Sequence, residues 1–121
     1  MAFAIVESPY AALGHKKAYE YVEECYKFLL GKGHTPFASH YNYTVVLNDM
    51  VEEDRQLGMG AGHNLIRSRK ADFIVVFTDY GISSGMRLAI DLAKQYNVPI
   101  MTYDFSKDGH DGELRLFDEQ S

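Results

Sequence analysis

A chain of 121 residues, 46% hydrophobic and 24% charged, reads as one domain spanning 1–121, large enough to bury a core and too short for two. Its formal net charge of −5, with no long basic block, argues against binding nucleic-acid backbones. The single cysteine, Cys25, leaves no internal disulfide framework and suits a reducing cytosol, and no apolar run is long enough to span a bilayer.

Phe3-Ala4-Ile5-Val6 is a short apolar strand closed by Glu7-Ser8-Pro9-Tyr10, where Pro9 cannot donate to a sheet ladder. With no basic region before it, this run reads as a strand and not as a signal peptide. A helix is expected over residues 15–30, with Ala18, Val22, Cys25 and Leu29 on one face and Tyr21 and Phe28 flanking. Cys25 is then a small buried hydrophobe, and Gly31 and Gly33 end the helix. Residues 35–40 suggest a shorter strand with His40 at its carboxyl end. Residues 41–47 have strand-like residue types, but crossover connections need helices here, so a loop and helical lead-in are expected, with the helix starting at Asn48-Asp49.

Glu52, Glu53 and Asp54 make a solvated helix face. Gly58-Met59-Gly60-Ala61-Gly62 lacks the preceding strand and terminal Gly-Lys-Ser/Thr of a phosphate loop. It reads as close helix packing or a kink, with phosphate cradling the lesser alternative. The helix continues over 63–69 with Leu65 and Ile66 inward. Phe73-Ile74-Val75-Val76-Phe77 is apolar without alternation, as suits a central parallel strand buried on both faces. It runs through Thr78-Asp79-Tyr80-Gly81 into a helix opened by Ser83 and Ser84, with Met86, Ala89, Ile90 and Ala93 at helical spacing. Residues 98–103 give the next strand, 104–112 a polar loop, and 113–117 a final edge strand.

Strands alternate with helices, which implies an α/β three-layer sandwich with a largely parallel sheet of about five strands, Rossmann- or flavodoxin-like. Polar groups from four strand ends then meet at one rim: Ser8 and Tyr10, His40, Asp79 with Ser83 and Ser84, and Tyr103 with Asp104. In such sheets ligands bind outside the carboxyl ends of the strands. Ser83 and Ser84, flanked by Gly81 and Gly85, offer hydroxyls and helix-start N–H groups to an anion, beyond plain capping. Asp79 suits a ribose hydroxyl. His40 is either a donor to phosphate or base or a satisfied loop histidine. Arg55 either neutralises a phosphate or pairs with Glu52. Tyr10 and Tyr103 could stack on a base, although aromatics this abundant usually pack. The five histidines are scattered, so no metal site is expected, and no cofactor is implied. Neither a G-x-S-x-G elbow nor a Ser/Thr-rich FMN loop after the first strand is present.

In this order and spacing, the pattern resembles the nucleoside 2-deoxyribosyltransferase-like superfamily, in particular its small, often phage-encoded relatives. The resemblance covers residues 3 to about 103. It rests on Ser8-Pro9-Tyr10, His40 with Thr44, residues 49–55, and above all Ala71-Asp72-Phe73-Ile74-Val75-Val76 running into Asp79-Tyr80-Gly81-Ile82-Ser83-Ser84-Gly85-Met86. It implies a small-molecule nucleoside or nucleotide partner, chemistry at the N-glycosidic bond, and a homo-oligomer. It also implies a nucleophilic glutamate on the helix after the third strand. Aligning Ala89 with the family's small residue puts Gly85 at that position, and no Asp or Glu lies between Gly81 and Ile90. Two expectations follow. Either Glu7, Asp49 or Asp79 takes over as the carboxylate, or the site binds a nucleotide or NAD-derived signal without cleaving it. The second is the simpler, and it suits a cytoplasmic protein that sequesters or senses its ligand, such as a phage anti-defence sponge.

Overall fold

In the computed structural model, which describes residues 2–42 and 52–118 and only the backbone of Arg55, the apolar runs become strands and the helical stripes become helices. β1 (Phe3–Glu7) leads to α1 (His15–Gly31), β2 (Thr35–Phe37) and a single-turn α2 (Ser39–Asn42). Then come α3 (Glu52–Arg67), β3 (Phe73–Phe77), α4 (Ser84–Gln95), β4 (Ile100–Tyr103), a short α5 (Phe105–Asp108) and β5 (Arg115–Leu116). The described strands form one five-stranded sheet in the order β2-β1-β3-β4-β5. β1 is parallel to both β2 and β3, and β3 to β4, while β5 joins β4 antiparallel.

Side-chain alternation along the strands divides the core between two faces. On one, Ala4, Val6, Val75, Phe77 and Tyr103 pack against Val22, Cys25, Phe28 and Leu29 of α1. On the other, Ile5, Ile74 and Val76 pack against Ile66 of α3 and Met86, Ala89, Ile90 and Ala93 of α4. The continuous β3 run is thus buried from both sides, and each large apolar side chain contributes about 1.5–3 kcal/mol of burial. The first face is strongly aromatic: Phe28 stacks on Tyr103 at 4.1 Å, and Phe77 on Phe105 at 5.7 Å between ring centroids. Cys25 is fully buried there, and burial, followed by the charge of Glu24, pushes its thiol up and away from reactivity.

The second strand is shorter than expected. It stops at Phe37, and His40 lies in α2. The Ala38 N–H donates to Tyr26 Oη at 2.7 Å, and the Ala38 carbonyl accepts from the amides of Tyr41 and Asn42, so the backbone turns into a helix. The polar loop after β4 contains α5, because Asp104 caps it by accepting from the Lys107 N–H at 3.1 Å. The final strand spans only Arg115–Leu116. Gly58, Gly60 and Gly62 lie inside α3, where their amides serve the helix ladder and not a phosphate. Gly62 is the contact point with α2: a Cβ there would sit 3.4 Å from Ser39 Oγ. The expectations for residues 43–51, including a helix start at Asp49, lie outside the described residues.

Close approach sets one position beyond β4. The Gly112 N–H donates to Tyr103 Oη at 2.9 Å, and that hydroxyl donates in turn to the Gly109 carbonyl at 2.7 Å. A Cβ on Gly112 would meet both Tyr103 Oη and the Asp108 carbonyl at 2.8 Å. Gly112→Ala is therefore expected to lower the unfolding free energy by about 1–3 kcal/mol, read as a lower urea midpoint with an unchanged slope.

Candidate functional site

β1 is followed by β2 on one side and flanked by β3 on the other. The connections therefore leave in opposite directions, and the carboxyl ends of β1 and β3 form the switch point, the place where ligands bind in open sheets of this kind. Glu7 ends β1 at this switch point, paired in register with Val76 of β3. Alternation puts it on the Ile5 side of the sheet, the face covered by α3 and α4. The residue is half-buried. Its carboxyl has no hydrogen-bond or ion-pair partner among the described residues. Burial pushes it up to about 8 from an ordinary 4.5.

The other described carboxylates of this rim accept from named donors. Asp79 Oδ2 accepts from Tyr21 Oη at 2.7 Å and from the Phe105 N–H at 3.1 Å, while Oδ1 accepts from the Ser106 N–H at 2.9 Å. Asp79 thus ties β3 to α1 and α5 with three of its acceptor positions. Burial, then the Asp79 bond, pushes the Tyr21 hydroxyl far up, so it stays a donor. Asp104 accepts from Thr78 Oγ1 at 2.9 Å, from Ser106 Oγ and from the Lys107 N–H. Burial opposes its charge, but these bonds outweigh burial and hold the carboxyl below its ordinary value. Asp108 takes the Asp104 N–H at 3.1 Å and Arg115 at 2.7 Å.

Above β1 and β2, Ser8, Tyr10 and His40 do come together. Ser8 Oγ and His40 Nε2 are 3.3 Å apart, and the His40 and Tyr10 rings lie 5.4 Å apart. Pro9 is buried between them in sequence. Tyr10 Oη also bonds His15 Nδ1 at 2.9 Å, and His15 packs on Tyr19 at 4.2 Å. The Tyr19 hydroxyl is buried with no partner among the described residues. Sequence reasoning passed over His15 and Tyr19, although their i, i+4 spacing at the start of α1 was a signal that they share a face. It set Tyr21 beside the packing face of α1 without finding its bond to Asp79, which joins residues 58 apart.

Between β3 and α4, Gly81 takes φ 82°, a conformation glycine adopts without strain, and its N–H closes the turn on the Thr78 carbonyl at 3.0 Å. Ser83 is the N-cap of α4, its Oγ accepting from the Met86 N–H at 3.2 Å. Met86 itself is core, with its side chain 1% exposed. Ahead of it the amides of Ser84 and Gly85 have no acceptor among the described residues, and a Cβ on Gly85 would touch only Ser83 Oγ, at 4.0 Å. This helix end is open to an anion. Tyr103, by contrast, is fully buried with its hydroxyl in the Gly112 contact, so it is no base-stacking platform. Asp49 and the Arg55 side chain fall outside the described residues. No cluster of three His, Cys, Asp or Glu able to hold a metal occurs among the described residues, and no helix there is long and apolar enough to cross a membrane.

The Glu7 carboxyl also sets a pH dependence. The folded chain holds this proton up to about pH 8, whereas the unfolded chain releases it near 4.5. Between these values the unfolded state binds fewer protons, so the Glu7 contribution lowers stability as pH rises through that window. Glu7→Gln is expected to flatten the decline in denaturation midpoint between pH 5 and pH 8 relative to wild type.

The fold resembles two solved structures. A 2-deoxyribosyltransferase from the psychrotolerant bacterium Bacillus psychrosaccharolyticus superposes with a TM-score of 0.68 at 17% identity, over 86% of this chain and 73% of that one. The CMP N-glycosidase BcmB of Clostridium botulinum superposes with a TM-score of 0.52 at 16% identity, over 89% of this chain and 80% of that one. No curated protein matches the sequence. The family described as a domain of unknown function, DUF7768, matches residues 2–103, and the chain belongs to it.

Proposed function

We propose that this chain binds a nucleoside or nucleotide, including NAD-derived nucleotides, in the crevice beyond β1 and β3, and that it holds the ligand without cleaving it. The observation carrying this reading is the switch point in the strand order, with the Ser84 and Gly85 amides at the start of α4 and Glu7 at the end of β1 both without a hydrogen-bond partner among the described residues. The amides and the helix dipole suit a phosphate. Tyr10, Ser8 and His40 border the crevice from the β2 side. The two structural neighbours, named for a deoxyribosyl transfer and for CMP cleavage, support a ligand of this class.

Retention without cleavage is supported by what α4 lacks, Asp49 lying outside the described residues. Its first turns carry Ser84, Gly85 and Met86 and no carboxylate, and Asp79 is spent on three donors. Sequestering or sensing a nucleotide needs neither. A second reading has one specific observation in its favour: Glu7 keeps its proton at neutral pH, as a general acid would in protonating a departing base. In that case Glu7 would serve glycosidic cleavage.

The test is incubation with nucleosides, nucleotides and cyclic NAD-derived species, followed by ultrafiltration and chromatography of filtrate and heat-released fractions. The expected outcome is an intact ligand depleted from the filtrate and released by heat. Free base that disappears in Glu7→Gln would establish cleavage instead.

Assembly belongs to the same proposal. Leu57 of α3 and Leu88 of α4 are 65% and 56% exposed, and covering such side chains favours association. Light scattering is expected to give at least twice the 13.7 kDa chain mass, and the Leu57→Ser, Leu88→Ser double variant a smaller particle.

A further inference from the structure

Resting on the nucleotide-binding reading, we propose that Glu7 is the specificity-determining residue of the crevice, donating a hydrogen bond to a nucleobase that presents an acceptor, either a carbonyl oxygen or an unprotonated ring nitrogen, toward the α3–α4 face. Three observations of geometry converge on it. Glu7 ends β1 at the switch point, opposite Val76 of β3. The other described carboxylates of the rim, Asp79, Asp104 and Asp108, accept from named donors, whereas Glu7 has no partner among the described residues. The side chains sharing its face are Ile5, Val76, Met86 and Ala89, an apolar lining that suits a flat heterocycle better than a hydrated sugar or a phosphate.

Burial in that lining keeps the carboxyl protonated to about pH 8. A protonated carboxyl is a donor through its O–H; an ionised one accepts only and repels a base acceptor. A phosphate on the same ligand is drawn away from Glu7, to the Ser84 and Gly85 amides. The half-buried titratable groups on the covering helices are Asp54 and His63 of α3 and Arg87 of α4. Burial and then Arg67 lower His63 below its ordinary 6.5, so it is neutral throughout the alkaline range. The exposed charged groups of the same helices are Glu52, Glu53, Arg67, Asp91 and Lys94. Among the described residues of this face, Glu7 is the group whose burial brings its titration to about pH 8.

The experiment is equilibrium binding of adenosine, guanosine, cytidine, thymidine and their 5′-monophosphates to the full chain from pH 6 to pH 9, for wild type, Glu7→Gln and Glu7→Ala. Circular dichroism checks that each variant folds. For the tightest member of the panel, wild-type affinity is expected to be level below pH 8 and to fall by about tenfold per pH unit well above it. Glu7→Gln keeps an N–H donor, so at pH 7 it binds more weakly than wild type and more tightly than Glu7→Ala, and its affinity no longer breaks near pH 8. A wild-type profile level through pH 9, or a break that persists in Glu7→Gln, overturns the role of Glu7 and leaves nucleotide binding standing. Binding of no panel member at any pH overturns both. Should Glu7→Ala fail to fold, the comparison of wild type with Glu7→Gln decides alone.

Discussion

The parallel pairing of β1 with β3 is the constraint on which the rest of the molecule depends. Parallel neighbours cannot be joined by a hairpin, so each connection must cross a face of the sheet. Here the chain leaves β1 over the α1 face to reach β2, then returns over the opposite face through α3 to reach β3 on the far side of β1. Two consequences follow from that one reversal. β1 and β3 become central and must be apolar on both faces, as Ile5, Val6, Ile74, Val75 and Val76 are. Their carboxyl ends also lose the covering that a continuous winding would provide, at the edge where Glu7, Ser8 and Asp79 emerge.

At that edge the protein treats its carboxylates in two different ways. Asp79 and Asp104 receive donors from α1, α5 and their own loop, and those bonds fix how α5 sits on the sheet. A buried carboxylate so satisfied is structural, because removing any one donor strands a charge. Glu7 receives no such donor among the described residues and responds by keeping its proton. Adjacent groups of one chemical type thus end up with opposite roles, and the difference lies in which backbone amides point at them.

Much of this was legible in the sequence where a local pattern carries the information. The unbroken Phe73-Ile74-Val75-Val76-Phe77 run announced a strand buried on both faces, and the spacing of Met86, Ala89, Ile90 and Ala93 announced the buried stripe of α4. Ser83 as a cap and Cys25 as a packing residue followed from residue type and neighbours. What was not legible depends on partners distant in the chain. His40 was expected to end a strand, but the hydroxyl of Tyr26, 12 residues before Ala38, captures the amide that a strand would have used. Asp79 read as a ligand carboxylate because nothing nearby in sequence reveals Tyr21, 58 positions earlier, or the amides of Phe105 and Ser106. The raised Glu7 carboxyl was equally hidden, since desolvation comes from the whole fold and leaves no trace in flanking residues.

The same accounting bears on whether a glycosidic bond is broken or only held. Cleavage through paired carboxyl groups needs one group ionised to attack or to activate water and another protonated to assist departure, the two set about 5–10 Å apart. Glu7, protonated at neutral pH, can fill only the second role. A neutral carboxyl is a poor nucleophile, and the first role falls to a group that is ionised and unencumbered. Asp79 is ionisable, but its oxygens are committed to Tyr21, Phe105 and Ser106, and swinging toward a sugar would break the tie between β3, α1 and α5. The first turn of α4 puts Gly85 at the crevice and supplies nothing in its place. One donor carboxyl on an apolar wall, facing open amides on another, can orient a base and anchor a phosphate. Among the described residues it has no second carboxylate free of donors, and that asymmetry is what supports the proposal that the ligand is retained intact.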